Sequence, residues 1–448
     1  MKREQQQNKD YEQTTIPASA RRGFWSMFVI MMGFTFFSAS MFTGGAMGVG
    51  LNLKNFIIAL LIGNLFLGAY TGLLAFAASR TQLSIHLLSH YSFGTKGSYI
   101  PSFVLAITQI GWFGVGIAMF ALPATAAFAP MVSPGSWLAQ GSNLLWLMVI
   151  LSGIIMTSSA YFGIKALHIV SAVAVPAIAV LGLWSAIQAL FFDHPEALSN
   201  FANGWEYLKV HAPAAGQSIS MVTAISMAIG SFISGGTCTP DFARYAKTTK
   251  IGVSTTVLAF FIGNSIMIAF GAIGAMVWNT ADISEVLIKQ GLLIAGVIVL
   301  GLNIWTTNDN ALYTSGLGLA NITKLPKRYL VLFNGALGTL AALWLNNNFV
   351  GWLNILNTFI PPVGAIIITD YLICHKGRYP ALEDKKFRAV NWCAVLAWAL
   401  GTIVALIGAD KIPGVHVGWL SASLPAVNGM VVACITYLLL RWLSGYKD

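Results

Sequence analysis

The chain has 448 residues, of which 56% are hydrophobic and only 9% are charged, and its mean hydropathy is +0.73. This balance excludes an ordinary soluble globular protein, in which roughly a quarter of the residues are charged. The formal net charge is +10, a value that nucleic-acid-binding proteins also have. Where the basic residues fall along the chain therefore decides what the charge means.

The first 22 residues are polar and basic, and they lack the apolar core and small-residue cleavage site of a secretory signal. We expect residues 1–22 to form a disordered cytoplasmic tail. Beyond this tail the apolar windows begin. A helix that crosses the bilayer needs ~20 apolar residues, and windows of this length predict twelve transmembrane helices. They are centred near Phe34, Phe66, Gly114, Ile154, Ile178, Ile229, Phe260, Asn303, Gly338, Pro361, Ala397 and Val432.

The basic residues lie mainly on one side of this predicted bundle. With the N-terminus in the cytoplasm, only four of the 25 Lys and Arg fall outside, namely Lys54, Lys209, Lys289 and Lys411. This asymmetry follows the positive-inside rule, so the net charge reports orientation. We expect an all-α integral membrane protein with both termini in the cytoplasm and lipid, not nucleic acid, around it.

Two of the predicted spans contain interruptions. The first span has glycine, serine and threonine between Gly33 and Gly45, and the sixth has them between Gly230 and Thr237. Glycine destabilises a helix by ~1 kcal/mol relative to alanine, and serine competes for backbone hydrogen bonds. A broken backbone is tolerated inside a bilayer only where it lines a cavity. Helices 1 and 6 are therefore predicted to be discontinuous around a site at mid-membrane.

The interruptions also indicate an internal repeat. Gly33 and Gly230 are 197 positions apart, and the polar mid-span residues Gln109 and Asn303 are 194 apart. Similar offsets predict two five-helix units, residues 23–192 and 217–374, followed by two further helices in residues 388–443. An odd number of spans inverts the second unit relative to the first, which is common in secondary transporters.

A flat polar solute is one interpretation of the third span. Gln109 and Trp112 are three residues apart and so share a helix face. With Phe232 of the sixth span, they would form two aromatic walls with an amide between them. Stacking combined with amide contacts is how proteins recognise single bases. The alternative is simple aromatic packing, with Gln109 bonded to a neighbouring helix.

The eighth span carries polar residues at its centre, between Gly301 and Asn310. Asn303, Thr306 and Thr307 could supply oxygens to a small alkali cation, together with carbonyl groups freed by a break near Gly33 and Phe36. The alternative is that both threonines hydrogen-bond to their own helix, as is common in membrane spans. The two interpretations remain open from these residues alone.

Asp309 lies in the same stretch. A carboxylate near the bilayer centre is unfavourable by a few kcal/mol on insertion scales, so it is paired, hydrated or protonated. A proton site, long-range support for a cation and a structural role all remain open. The chain has no phosphate-binding GxxxxGK[ST] motif, its four cysteines have no paired spacing, and few titratable groups converge. We therefore expect no enzyme, no ATP-driven pump, no disulfide and no cofactor.

Long runs of the chain resemble the nucleobase:cation symporter-1 family. They are residues 33–41, 109–116, 301–313 and 348–353. The resemblance implies a leucine-transporter-like inverted-repeat fold and import of cytosine with sodium across the bacterial inner membrane, by a monomer with alternating access. Another planar nucleobase or hydantoin-like solute, or proton coupling, remains the alternative.

The resemblance also assigns residues to roles. Cytosine contacts would come from Gln109, Trp112, Ser231, Phe232 and Asn303, and sodium ligands from Gly33, Phe36, Asn303, Thr306 and Thr307. Ser38, Ser234, Asn308 and Asp309 are supporting candidates.

Overall fold

The computed structural model describes residues 11, 13–162 and 164–445, including their side chains except those of residues 164–172, 350 and 354. Residues 1–10 and 12 of the predicted tail lie outside the described residues. The described residues are helical with connecting loops and include no strand, only a single isolated bridge between Arg22 and Ala246. The all-α prediction is confirmed.

The helices are numbered here in chain order. They are α1 (Phe24–Thr35), α2 (Ser38–Gly50), α3 (Leu53–Thr81), α4 (Ile85–Phe93), α5 (Tyr99–Phe128), α6 (Asn143–Tyr161), α7 (Ile164–Phe191), α8 (Gly204–Val210), α9 (Met221–Gly230), α10 (Ile233–Thr237), α11 (Pro240–Ala243), α12 (Thr249–Leu258), α13 (Asn264–Trp278), α14 (Ile283–Lys289), α15 (Leu293–Thr323), α16 (Lys327–Asn347), α17 (Phe349–Phe359), α18 (Pro361–Thr369), α19 (Trp392–Gly408), α20 (Gly418–Ser421) and α21 (Pro425–Leu443). Two π-helical segments, Ala259–Gly263 and Asp370–Cys374, continue α12 and α18.

Among the described residues, eight helices are long and apolar enough to cross a membrane, or ten if each of two bent pairs is one span. Neither α15, with its polar centre, nor α19, with 17 residues, is one of these eight. The chain is thus a multi-pass membrane protein, while the count of twelve spans stays a prediction.

The two bent pairs lie where the sequence has its interruptions. The axes of α1 and α2 differ by 49°, and the axis of α9 differs by 50° from that of the α10–α11 segment. Between α1 and α2, Phe36 (φ −77°, ψ 76°) and Phe37 (φ −118°, ψ 131°) leave the helical conformation. Between α9 and α10, Ser231 keeps helical angles and Phe232 (φ −140°, ψ 6°) departs from them. The first break is therefore the more extended.

Close backbone contact holds α2, the second half of the first predicted span. A Cβ atom on Gly44 would lie 1.9 Å from the Ile268 carbonyl oxygen, and one on Gly271 would lie 1.9 Å from the Met41 carbonyl oxygen. Only glycine, which has no Cβ, fits at these positions. Small residues let membrane helices approach each other closely, which increases their van der Waals contact. Helices α2 and α13 therefore pack closely, which places the residues after the first break against α13.

The end of the N-terminal tail is ordered, so the prediction of disorder is wrong for residues 16–22. Ile16 is 1% exposed, and its N–H donates to the Gln82 carbonyl at 3.3 Å. Further along, the Arg22 N–H donates to the Tyr245 carbonyl at 2.6 Å. The segment is held because its backbone groups find partners and Ile16 finds an apolar contact with Tyr245 and Ala246, which the tail's polar composition did not indicate.

Candidate ion and solute site

The Asn303 side chain bridges the first break. Its Oδ1 accepts a hydrogen bond of 2.8 Å from the Ser38 N–H, and its Nδ2 donates to the Phe36 carbonyl. Asn303 is 1% exposed, so water does not satisfy these backbone groups. The eighth-span helix α15 thereby supplies the hydrogen bonds that the chain loses where α1 ends, as a break inside a bilayer requires.

The predicted oxygen ligands of the cation converge beside this bridge. The Thr306 hydroxyl lies 3.3 Å from the Gly33 carbonyl oxygen and 2.7 Å from the Asn303 carbonyl oxygen. The Thr307 hydroxyl lies 3.3 Å from the same Asn303 oxygen. Both threonines thus donate to their own helix, as the alternative held, and Thr306 also reaches α1. A hydroxyl has one hydrogen and two lone pairs. Rotation of the O–H bond away from the carbonyl would direct a lone pair of the threonine oxygen to a cation instead.

A buried cavity lies next to these oxygens. Its volume in this structure is about 10 Å³, room for about one water molecule and far below the ~300–1,000 Å³ usual for ligand pockets. Four predicted solute contacts line it, and so does Thr307; Asn303 is not in its wall, because its amide is engaged at the first break. The lining residues are Phe34, Phe37, Gln109, Trp112, Ser231, Phe232, Gly235, Thr307 and Ala311.

Gln109 and Ser234 lie together, as their joint assignment to the site predicts. Gln109 Nε2 donates to the Ser234 hydroxyl at 2.7 Å, and that hydroxyl donates to Thr108 Oγ1 at 2.9 Å. Gln109 is 2% exposed. The third and sixth spans are therefore linked at the cavity, which is also the neighbouring-helix bond that the packing alternative expected.

Phe37 is a further cavity residue that the sequence pattern does not indicate. Its ring centroid lies 5.6 Å from that of Trp112 and 6.3 Å from that of Phe232, in edge-on contact with both. Phe37 therefore contacts both predicted walls of the slot. Its position directly after Phe36, at the break, was the available signal.

Asn264 and Asn64 are two further buried polar residues that the predicted site does not include. Asn264 Nδ2 donates to Ser231 Oγ at 3.1 Å and to Asn64 Oδ1 at 2.7 Å. Both asparagines are 0% exposed. An asparagine inside an apolar span is itself a signal of a functional or packing role.

The remaining supporting candidates lie around this centre but not in the cavity wall. Ser38 contributes its backbone N–H to Asn303. Asn308 Nδ2 lies 3.2 Å from the Met156 sulfur, and Asp309 Oδ1 accepts a hydrogen bond of 2.5 Å from the Ser159 hydroxyl. Met156 and Ser159 both belong to α6, so Asn308 and Asp309 attach α15 to a neighbouring span.

An all-helical membrane protein with two bent helix pairs beside a buried, largely aromatic cavity has the architecture of a secondary transporter. A family model described as permease for cytosine/purines, uracil, thiamine, allantoin matches residues 15–440. The chain belongs to this family. It is a permease and not an enzyme, and the described residues contain no cluster of His, Cys, Asp and Glu that could hold a metal ion.

Relatives agree with this assignment. The cytosine permease of Escherichia coli strain K12 is 46% identical over 97% of this chain and 95% of its own length. The hydantoin permease of Microbacterium maritypicum is 22% identical over 82% of this chain and 75% of its own. A solved nucleobase-cation-symport-1 family transporter, in a closed conformation with bromovinylhydantoin bound, superposes with a TM-score of 0.77, covering 98% of this chain and 97% of that one at 20% identity. The expected family and its leucine-transporter-like fold are confirmed.

Proposed function

We propose that this permease imports cytosine together with sodium across the bacterial inner membrane, by alternating access, as a monomer with both termini in the cytoplasm. The similarity to the Escherichia coli cytosine permease supports the solute. The name of the solved family member, which joins nucleobase and cation transport, supports a coupling ion.

One observation carries the proposal: the ion oxygens and the aromatic cavity share a wall. Thr307 lines the cavity with Gln109, Trp112 and Phe232, and its hydroxyl lies 3.3 Å from the Asn303 carbonyl. A cation bound among these oxygens would fix the wall against which the solute packs. Affinity for one ligand would then depend on the other, and linkage makes that dependence reciprocal.

The proposed ion has a suitable donor set. Carbonyl and hydroxyl oxygens are hard ligands, which hard cations prefer over nitrogen or sulfur. The set of Gly33, Phe36, Asn303, Thr306 and Thr307 carries no formal charge in the proposed roles, which suits a monovalent ion better than a divalent one. Asp309 is engaged with Ser159 and is assigned no ligand role.

The aromatic walls favour a flat solute. The cavity volume of about 10 Å³ in this structure is too small for a ring, so the walls must move apart before the solute binds. Trp112 and Phe232 would hold the faces of the ring, and Gln109 and Ser231 would meet its polar edge. For a ring to enter the slot, the Phe37 side chain must move away from Trp112 and Phe232. We assign this movement to the outward-open state.

The decisive experiment measures cytosine binding to the purified permease while sodium and pH are varied independently at constant ionic strength. We expect affinity to rise with sodium at fixed pH. Affinity that follows pH and ignores sodium would indicate proton coupling. Binding of a hydantoin or a purine, without binding of cytosine, would keep the site and replace the solute.

A further inference from the structure

A π-helical segment in the seventh predicted span faces both broken helices. It covers Ala259–Gly263, between α12 and α13. The Phe260 ring lies 5.5 Å from that of Phe232, and a Cβ atom on Gly263 would lie 2.5 Å from Thr35 Oγ1. A π turn inserts a residue into the helical register, and such segments occur frequently at functional sites. Here the shift sets the direction of the next residue, Asn264.

Asn264 joins three helices through its single amide group. Its Oδ1 accepts a hydrogen bond of 2.6 Å from the Ser40 hydroxyl. Its Nδ2 donates to Asn64 Oδ1 at 2.7 Å and to Ser231 Oγ at 3.1 Å. Ser40 follows the first break, Ser231 is at the second, and Asn64 lies on α3. Ser40 and Asn64 are 0% exposed and Ser231 is 2% exposed.

Every polar atom of the Asn264 side chain has a partner in this cluster. A buried network that is fully satisfied is rigid, because breaking any bond leaves an unpaired group in a medium of low polarity. The broken helices are thus held at a fixed distance from one another by one side chain that belongs to neither.

The hydrogen-bonded cluster around Asn264 extends from the proposed ion site to the proposed solute site. Ser40 is two residues after Ser38, whose N–H is bonded to Asn303 beside the ion oxygens. Ser231 lines the solute cavity. A displacement of the first break on cation binding is therefore passed through Ser40 and Asn264 to Ser231. The Gly44–Ile268 contact between α2 and α13 keeps the two sides of this connection in register.

We propose that Asn264 is a positioning residue that couples the ion site to the solute site, without touching either ligand. This inference rests on the proposed function. It predicts that loss of the Asn264 amide reduces the ratio of cytosine affinities with and without sodium. Allosteric coupling between two sites typically corresponds to a 5–150-fold change in affinity, so the ratio should fall by at least about fivefold.

The test compares Asn264→Ala with Asn334→Ala in the purified permease. Asn334 is also 0% exposed, and its Nδ2 donates to Ser315 Oγ at 2.9 Å, away from both breaks. Both variants lose a buried amide, and both should have a lower melting temperature than the wild type. Only Asn264→Ala should lose the sodium dependence of cytosine binding, which a purely structural role would not alter selectively.

Ser40→Ala removes one arm of the cluster and serves if Asn264→Ala does not fold. It should lower the same ratio by a similar factor, and the double variant should fall no further than either single variant, because both residues act through one bond. A wild-type permease without sodium-enhanced cytosine binding would overturn the proposed function. A coupled wild type together with fully coupled Asn264→Ala and Ser40→Ala variants would overturn the role of Asn264 alone.

Discussion

The two breaks differ in how their backbone groups are hydrogen-bonded. At the first break the backbone is extended over Phe36 and Phe37, and the Asn303 side chain from α15 takes up the freed groups. At the second break Ser231 stays helical, and its N–H still donates to the Met227 carbonyl at 2.9 Å. The first break thus offers backbone oxygens, while the second, which is shorter but equally bent, offers side chains.

This difference matches the needs of the two proposed ligands. An ion without directional preference is held by several oxygens, of which the first break would supply the Gly33 and Phe36 carbonyls. A flat solute needs a wall and a hydrogen-bonding edge, which Phe232 and Ser231 supply. Variants at the first break should therefore act through sodium. Variants at the second break should act on cytosine at any sodium concentration, except at Ser231, which is also bonded to Asn264.

The largest effect is expected for Asn303→Ala, which removes the bridge at the first break. The change leaves the Ser38 N–H and the Phe36 carbonyl buried without this partner, and each such group is destabilising by about 1–3 kcal/mol. We expect cytosine binding to fall at least about tenfold, with a lower melting temperature. Asn334→Ala is the matched control, since it removes a buried amide elsewhere. Equal binding losses in both variants would make the effect one of stability only.

The next effect is expected for Thr306→Ala combined with Thr307→Ala. Loss of both hydroxyls removes two proposed ion ligands, so cytosine affinity should fall in sodium buffer and change little in sodium-free buffer. The double serine variant keeps both hydroxyls and should keep the sodium response. An equal loss in the two buffers would contradict the assignment of the first break to the ion.

A smaller effect is expected at the aromatic wall. Trp112→Ala should weaken cytosine binding by ~1–3 kcal/mol, the range for stacking of a base on an aromatic side chain, to the same extent with and without sodium. Trp112→Phe keeps a ring and should recover part of the loss. Undiminished uptake by Trp112→Ala would remove the slot from the mechanism.

Sequence alone predicted those features that follow from local chemistry. The interruptions near Gly33 and Gly230 were visible because glycine and serine cluster there, and Asn303 and Thr306 because polar groups are rare at mid-membrane. The contacts of Asn264 could not be predicted, because they depend on how three helices are rotated and on a π turn that shifts the register. Phe37 was missed because its chemistry resembles that of the surrounding apolar residues, and only the break gives it a special position.

The smallest effect is expected for Ser231→Ala, and it tests whether the second break acts through its side chain. A single hydrogen bond contributes about 0.5–1.5 kcal/mol, so cytosine affinity should fall by no more than about tenfold. Ser231→Thr retains the hydroxyl and should bind nearly as well. Because Ser231 also accepts from Asn264, the alanine variant should reduce the sodium response as well, unlike Trp112→Ala. A Ser231→Ala variant that loses affinity equally in both buffers would show that this hydroxyl acts on the solute alone and does not connect the two breaks.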